Sequence, residues 1–109
     1  MITEQQAEAA NDFIRDSASA YGTAKANRVQ LMEFRKSKKA LLMNMKQGAQ
    51  HERESFAYAH DDYIALLDGI REAVEIEEAL RWRMKAAELK IEMYRTQQAN
   101  NRMIDGSHR

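Results

Sequence analysis

Residues 66–98 read LLDGIREAVEIEEALRWRMKAAELKIEMYRTQQ, and this stretch decides the fold. Apolar residues recur along it at alternating steps of four and three residues. That spacing is the a/d pattern of a long amphipathic helix over more than four heptads. The inner seam, as we call these positions, therefore predicts a long helix with one face packed against a second helix. It comprises Leu66, Ile70, Ala73, Glu77, Leu80, Met84, Ala87, Ile91, Tyr94 and Gln98.

The composition of the whole chain restricts the classes of protein to which it can belong. The chain has 109 residues, no proline and no cysteine, which predicts a single domain in which long helices run uninterrupted. The lack of cysteine excludes a disulfide framework or a cysteine zinc site and fits a reducing cytoplasm. A formal net charge of zero gives no overall attraction for nucleic acid or acidic membranes. No apolar run approaches the ~20 residues that span a bilayer, so we expect a soluble cytoplasmic protein without membrane contact.

The first helix is predicted over about residues 4–46. Thr3 opens a T-x-x-Q capping box at its start, and Gly48 is the expected C-terminal cap. Gly22 lies inside it, and the sequence leaves open whether this glycine breaks the helix. Its seam is weaker than that of the last helix and comprises Phe13, Ser17, Ala20, Ala24, Asn27, Leu31, Phe34, Lys38, Leu41 and Met45.

Two more helices are predicted after the turn at residues 47–50. A short helix covers about residues 51–59. The last helix covers about residues 61–102, with Asp61 as its N-cap, and a frayed tail follows over residues 103–109. These three helices would make up one helical domain over residues 1–109.

Charge alternates along the chain in a way that predicts the helix pairing. Acidic residues 1–24 are followed by a basic, an acidic and a basic block, with net charges of −3, +6, −7 and +4 over residues 1–24, 25–46, 47–80 and 81–109. An antiparallel arrangement sets each acidic block beside a basic one, which favours that register over the alternatives. We therefore predict an all-α fold: an antiparallel hairpin of long helices, coiled-coil-like, with a short connecting helix. Lys38 should then lie near Glu77 or its neighbours.

The last helix carries a second apolar stripe opposite the inner seam. A stripe with the only tryptophan of the chain is expected to be covered. A second copy of the protein is the simplest cover, so we predict a homodimer or higher homo-oligomer. The alternative is a first helix broken at Gly22, whose N-terminal piece packs there within one chain. The predicted interface, which we call the outer stripe, is Ala79, Trp82, Ala86, Leu89 and Met93.

Two clusters of cations are candidates for nucleic-acid contact. The run RKSKK at residues 35–39 is dense in positive charge, and RWRMK at residues 81–85 interleaves a tryptophan with cations. Such combinations suit phosphate contact and base stacking. Equally, the first run can be neutralised by the acidic helix, and the second can flank an oligomer core. The candidate phosphate contacts are Arg35, Lys36, Lys39, Arg81, Arg83 and Lys85.

The sequence offers little support for catalysis. The run His60-Asp61-Asp62 could bind a metal, but at a helix start it is more typical of capping. The pairs Glu72-x-x-Glu75 and Glu75-x-x-Glu78 resemble half of the acidic metal site of all-helical nucleotide pyrophosphohydrolases, whose second half is missing. We predict no catalytic residue, no metal and no cofactor, and keep a degenerate nucleotide hydrolase only as a third possibility.

Residues 50–102 resemble a group of small helical proteins of bacteriophages and prophages. The runs that carry the resemblance are RESFAYAH at 53–60, YIALL at 63–67, LRW at 80–82 and YRTQQANNR at 94–102. It implies a phage or prophage origin, a bacterial host cytoplasm and a role near recombination or replication. We therefore expect a non-enzymatic accessory protein that engages DNA or a DNA-processing complex. The alternative is a helical adaptor or inhibitor of a host factor, with no nucleic-acid contact.

Overall fold

The computed structural model describes residues 1–107 and contains three α-helices and no β-strand over that range. α1 spans Glu4–Met43, α2 spans Gln50–Ala59 and α3 spans Asp61–Ser107. The all-helical class predicted from the sequence is confirmed. The chain forms two compact units, a middle unit of Gly22–Glu78 and a terminal unit of Met1–Tyr21 with Ala79–Arg109.

α1 begins where the capping box predicts. The Thr3 N–H donates to Gln6 Oε1 at 3.0 Å, and the Gln6 N–H donates to Thr3 Oγ1 at 3.1 Å. The helix then continues through Gly22, where an added Cβ would have no heavy atom within 4 Å beyond its immediate helix neighbours. The alternative to an oligomer was that the N-terminal piece of a broken first helix covers the outer stripe. Because α1 is continuous at Gly22, that alternative has no support.

The end of α1 differs from the prediction. The helix stops at Met43 rather than near residue 46, and Gly48, with a φ of 131°, lies in the connection instead of capping the helix. The cap is Arg53 of α2, whose Nε donates to the Met43 carbonyl at 3.1 Å and whose Nη2 donates to Asn44 Oδ1 at 3.2 Å. A cation is favourable there because the carbonyl end of a helix carries partial negative charge.

The start and end of α3 also require correction. The N-cap is His60, because the Asp62 N–H donates to His60 Nδ1 at 3.0 Å, whereas the predicted cap, Asp61, is already helical. The helix also extends past the predicted end at 102, so residues 103–107 are helical rather than frayed. The rest of the predicted tail, residues 108 and 109, lies outside the described residues.

The middle unit pairs α1 with α3 in antiparallel fashion. Arg28 forms a two-pronged ion pair with Glu77, and Lys38 Nζ lies 3.6 Å from Asp62 Oδ2. Within the middle unit, α1 and α3 therefore run antiparallel, as the charge blocks predict. The expected partner was wrong, however: Glu77 is paired with Arg28, one heptad and a half before Lys38.

The buried face of α1 only partly coincides with the predicted seam. On α3 the inner seam is right, since every member except Gln98 is buried or half-buried. On α1, half of the predicted members are buried or half-buried, namely Phe13, Ser17, Ala24, Leu31 and Lys38. The other half are exposed, namely Ala20, Asn27, Phe34, Leu41 and Met45. Two adjacent faces of α1 carry apolar side chains, so periodicity alone could not choose between them. The buried or half-buried face is Ala7, Ala10, Ile14, Ser17, Tyr21, Ala24, Arg28, Leu31, Lys38 and Leu42.

A small apolar cluster fixes α2 in the middle unit. Leu42 of α1, Ala57 of α2 and Tyr63 of α3 are buried against one another, with Met43 packed at the edge. Ala57 has no exposed surface, so its small side chain lets α2 approach both long helices. The next residue, Tyr58, lies at the edge of this cluster, where its ring contacts that of Tyr63, and it is about half exposed.

The terminal unit repeats the antiparallel pairing. The Ile2 N–H donates to Gln97 Oε1 at 3.1 Å, and Gln97 Nε2 donates to the Ile2 carbonyl at 3.0 Å. Farther along α1, Phe13 lines one groove together with Ala87 of α3. The start of α1 thus faces the end of this stretch of α3, which is the antiparallel direction that the charge blocks predict.

Candidate functional site

Three of the predicted phosphate contacts lie around one groove of the middle unit, which we call the basic groove. Arg35, Lys36 and Lys39 of α1 line it together with Tyr58 of α2 and Tyr63 of α3, and its volume is about 410 Å³. Position 36 directly follows position 35, and position 39 lies about one helical turn after position 35, so the three side chains lie on one side of α1. α2 then closes the groove because Ala57 fixes its orientation.

The two tyrosines form the aromatic wall of this groove. Their rings are 5.3 Å apart between centroids and inclined by 72°, an edge-to-face pair. Tyr63 is 7 % exposed and belongs to the core, whereas Tyr58 is 48 % exposed. The buried ring therefore holds an accessible ring in place beside the cations.

Lys39 connects the cationic and aromatic sides of the groove. Its Nζ lies 4.8 Å from the centroid of the Tyr58 ring, within cation–π range, and 3.8 Å from Glu54 Oε1. The interaction with the Tyr58 side chain raises the pKa of Lys39 above its ordinary value, desolvation opposes this effect, and Glu54 adds a smaller coulombic contribution. Lys39 is therefore a positive charge at neutral pH.

The positive charge of the basic groove is only weakly neutralised. Lys36 Nζ lies 3.6 Å from Glu33 Oε2, and both side chains are largely exposed; such pairs contribute little. Arg35 has no ion-pair partner within residues 1–107. An incoming anion would meet at least two cations whose hydrogen-bonding groups are accessible.

The other three predicted cations belong to the terminal unit and do not share one surface. Arg81 and Lys85 line a groove of about 200 Å³ with Tyr21, and the Arg81 guanidinium stacks 5.2 Å from the Trp82 ring centroid. Arg83 lines a different groove, with Phe13 among its walls. Residues two apart on an α-helix point about 200° away from each other, so this separation follows from the spacing.

The outer stripe also belongs to the terminal unit. Its large members Trp82, Leu89 and Met93 are exposed, and Ala79 and Ala86 are exposed as well. Trp82 retains 60 % of its accessible surface.

The carboxylates singled out in the sequence are not gathered into a metal site. Within residues 1–107, no three histidine or carboxylate side chains converge on a common point. Glu75 pairs with Arg71 of its own helix at 3.5 Å, while Glu77 is the glutamate that faces α1. His60 uses Nδ1 to cap α3, so the run caps the helix through its histidine rather than through Asp61, the predicted cap.

The aromatic half of the basic groove could not be predicted from the sequence. Tyr58 and Tyr63 were not proposed as site residues, because their position beside the RKSKK run depends on the orientation of α2. The available signal was the small Ala57 next to Tyr58 in a short helix: if the alanine is buried, the tyrosine must turn outward. The sequence did not show which residue of α2 would be buried.

Comparison with known proteins adds no relatives: neither a family model, nor a curated protein, nor a solved structure matches this chain. No helix within residues 1–107 has the length and apolar character needed to cross a membrane.

Proposed function

We propose that this protein is a non-enzymatic accessory factor that contacts nucleic-acid phosphates through its basic groove. The proposal includes a phage or prophage origin, action in the bacterial cytoplasm and a role beside DNA recombination or replication, in line with the resemblance of residues 50–102. The observation that carries the nucleic-acid contact is the grouping of Arg35, Lys36 and Lys39 beside an accessible tyrosine.

The electrostatics limit what such a groove can do. Because the net charge of the chain is zero, affinity depends on local contacts rather than on a long-range field. Three phosphate contacts give a slope of about −2.7 in a plot of log affinity against log salt for a duplex. Affinity should therefore fall about 40-fold between about 50 and about 200 mM salt.

The first experiment titrates labelled DNA with the protein at these two salt conditions. The variant Arg35→Gln/Lys36→Gln/Lys39→Gln should lose most of the binding and flatten the salt dependence, because each lost contact removes about one unit of slope. If the protein shows no salt-sensitive binding at low ionic strength, this proposal fails.

A second triple variant serves as the control. Lys25→Gln/Lys46→Gln/Arg71→Gln removes the same charge from exposed positions of the middle unit that do not line the basic groove. It should keep the wild-type affinity and slope. Equal losses in both variants would mean that overall charge, not the groove, is responsible.

We further propose that the protein self-associates through the outer stripe. Stable interfaces bury about 800 Å² per partner and concentrate their energy in a central aromatic cluster. The exposed Trp82, followed along the same stripe by Leu89 and Met93, provides such a cluster, and its neighbours on α3 would complete the area. The adaptor or inhibitor function remains the second candidate, because the same exposed stripe could receive a different protein.

Mass in solution tests this part of the proposal. Trp82→Glu places a charge within the stripe and should convert the oligomer to a monomer in analytical ultracentrifugation. Leu41→Glu is the control, since Leu41 is exposed to a similar degree, 57 % against 60 %, but lies on α1 in the middle unit. A wild-type protein that sediments as a monomer would leave the stripe to a different partner.

A further inference from the structure

The aromatic wall of the basic groove bears on whether the bound nucleic acid is single-stranded or a duplex. Resting on the function proposed above, we infer that the basic groove binds a single strand, with a base stacked on the ring of Tyr58 and the neighbouring phosphates held by Arg35, Lys36 and Lys39. The partner is thus unpaired DNA or RNA rather than a duplex.

The accessible ring is the first argument for this inference. Tyr58 lies between the cations of α1 and the buried Tyr63, so it forms part of the groove wall. About half of its side chain remains accessible. Every base has a π-face that such a ring can receive, regardless of sequence.

The position of Lys39 is the second argument. In the free protein its ammonium lies over the Tyr58 ring and close to Glu54. Its long side chain can turn to a phosphate, and a base can then take the place of the ammonium on the ring. Lys39 thereby exchanges its cation–π contact for a contact with a phosphate. The Tyr58 ring exchanges the ammonium for a base.

The stacking of bases inside a duplex distinguishes single strands from duplexes as ligands of the basic groove. In a duplex the faces of the bases are stacked on one another, so a protein reaches only phosphates and base edges. A duplex can therefore use Arg35, Lys36 and Lys39 but not the ring of Tyr58. Stacking on one aromatic side chain strengthens binding about 5- to 150-fold, and this factor should be the preference for a single strand.

The test compares four labelled probes in fluorescence anisotropy: a short oligo(dT), the matching oligo(U), a duplex of the same length and an abasic strand with the same phosphates. The wild-type protein should bind the two strands that carry bases more tightly than the duplex, by the factor given above. The abasic strand should fall to the level of the duplex. Comparison of oligo(dT) with oligo(U) then identifies DNA or RNA as the better ligand.

Substitutions at Tyr58 complete the test. Tyr58→Phe keeps the ring and should keep the preference for strands with bases, whereas Tyr58→Leu keeps apolar volume without a π-face and should abolish it. The exposed position makes both variants compatible with folding, which circular dichroism verifies. Equal binding of all probes, unchanged by Tyr58→Leu, overturns the single-strand inference and leaves phosphate binding intact. Absence of salt-sensitive binding to every probe overturns both.

Discussion

The ion pair between Arg28 and Glu77 provides the sharpest test of how the middle unit is held together. The Glu77 side chain is 7 % exposed and that of Arg28 is 26 % exposed. Arg28→Met removes the guanidinium while keeping an apolar stem, and so leaves a buried carboxylate without the charge that balances it. Breaking a buried pair from one side costs about 3–5 kcal/mol. Because water reaches part of Arg28, we expect the lower end, about 3 kcal/mol.

The size of this loss makes it easy to measure. A domain of this length loses roughly 4 °C in melting temperature for each kcal/mol, so Arg28→Met should melt about 12 °C lower than the wild type. Urea unfolding followed by far-UV circular dichroism gives the free energy directly. Adding Glu77→Leu to Arg28→Met should restore most of the stability, because the buried charge disappears and two apolar side chains pack in its place.

A second pair on the same helix is the control. Arg71 and Glu75 are exposed and one turn apart on α3, so Arg71→Met should change stability by less than about 0.5 kcal/mol. The reasoning is refuted if Arg28→Met is no more costly than Arg71→Met, or if the double variant is as unstable as Arg28→Met alone.

The remaining predictions concern helix interiors and ends. Gly22→Ala should stabilise the protein by about 0.5–1 kcal/mol, because an added Cβ meets no packed atom there and alanine is the better helix former; a lower urea midpoint would contradict this. Gly48→Ala should destabilise it by about 1–3 kcal/mol, since the φ of 131° is strained for any other residue. Arg53→Met should cost about 1 kcal/mol through loss of the bond to the Met43 carbonyl, with Arg53→Lys recovering part of it. His60→Asn keeps a side-chain acceptor at the α3 cap and should be more stable than His60→Ala by about 1 kcal/mol in the same denaturation assay.

The sequence predicted the helices well where one physical signal dominated. The inner seam of α3 has a single continuous apolar face, and the capping box at Thr3 has a unique geometry, so both predictions are confirmed. Opposite charge blocks also predicted the antiparallel pairing that Arg28 and Glu77 exhibit.

The errors arose where tertiary contacts decided between near-equal local choices. α1 offers two apolar faces, one with Phe34 and one with Leu42. Only packing in the middle unit decides that the face with Leu42 is buried. The cap of α1 comes from Arg53, ten residues downstream of Met43, which local pattern rules do not include. For the candidate site, charge density found Arg35, Lys36 and Lys39, but Tyr58 required knowledge of how α2 is oriented.

The alanine content of the core has a consequence for the conditions under which the fold persists. Of the eight apolar residues buried within residues 1–107, six are alanines, and the larger ones are Leu42 and Tyr63. Alanine removes few carbon atoms from water, so the isolated chain gains little to offset the entropy of ordering its backbone. A second chain that covers the outer stripe would then supply a large share of the folding free energy. Under the proposed self-association, the thermal midpoint should rise by mass action as the protein is concentrated, and dilution alone should loosen the helices.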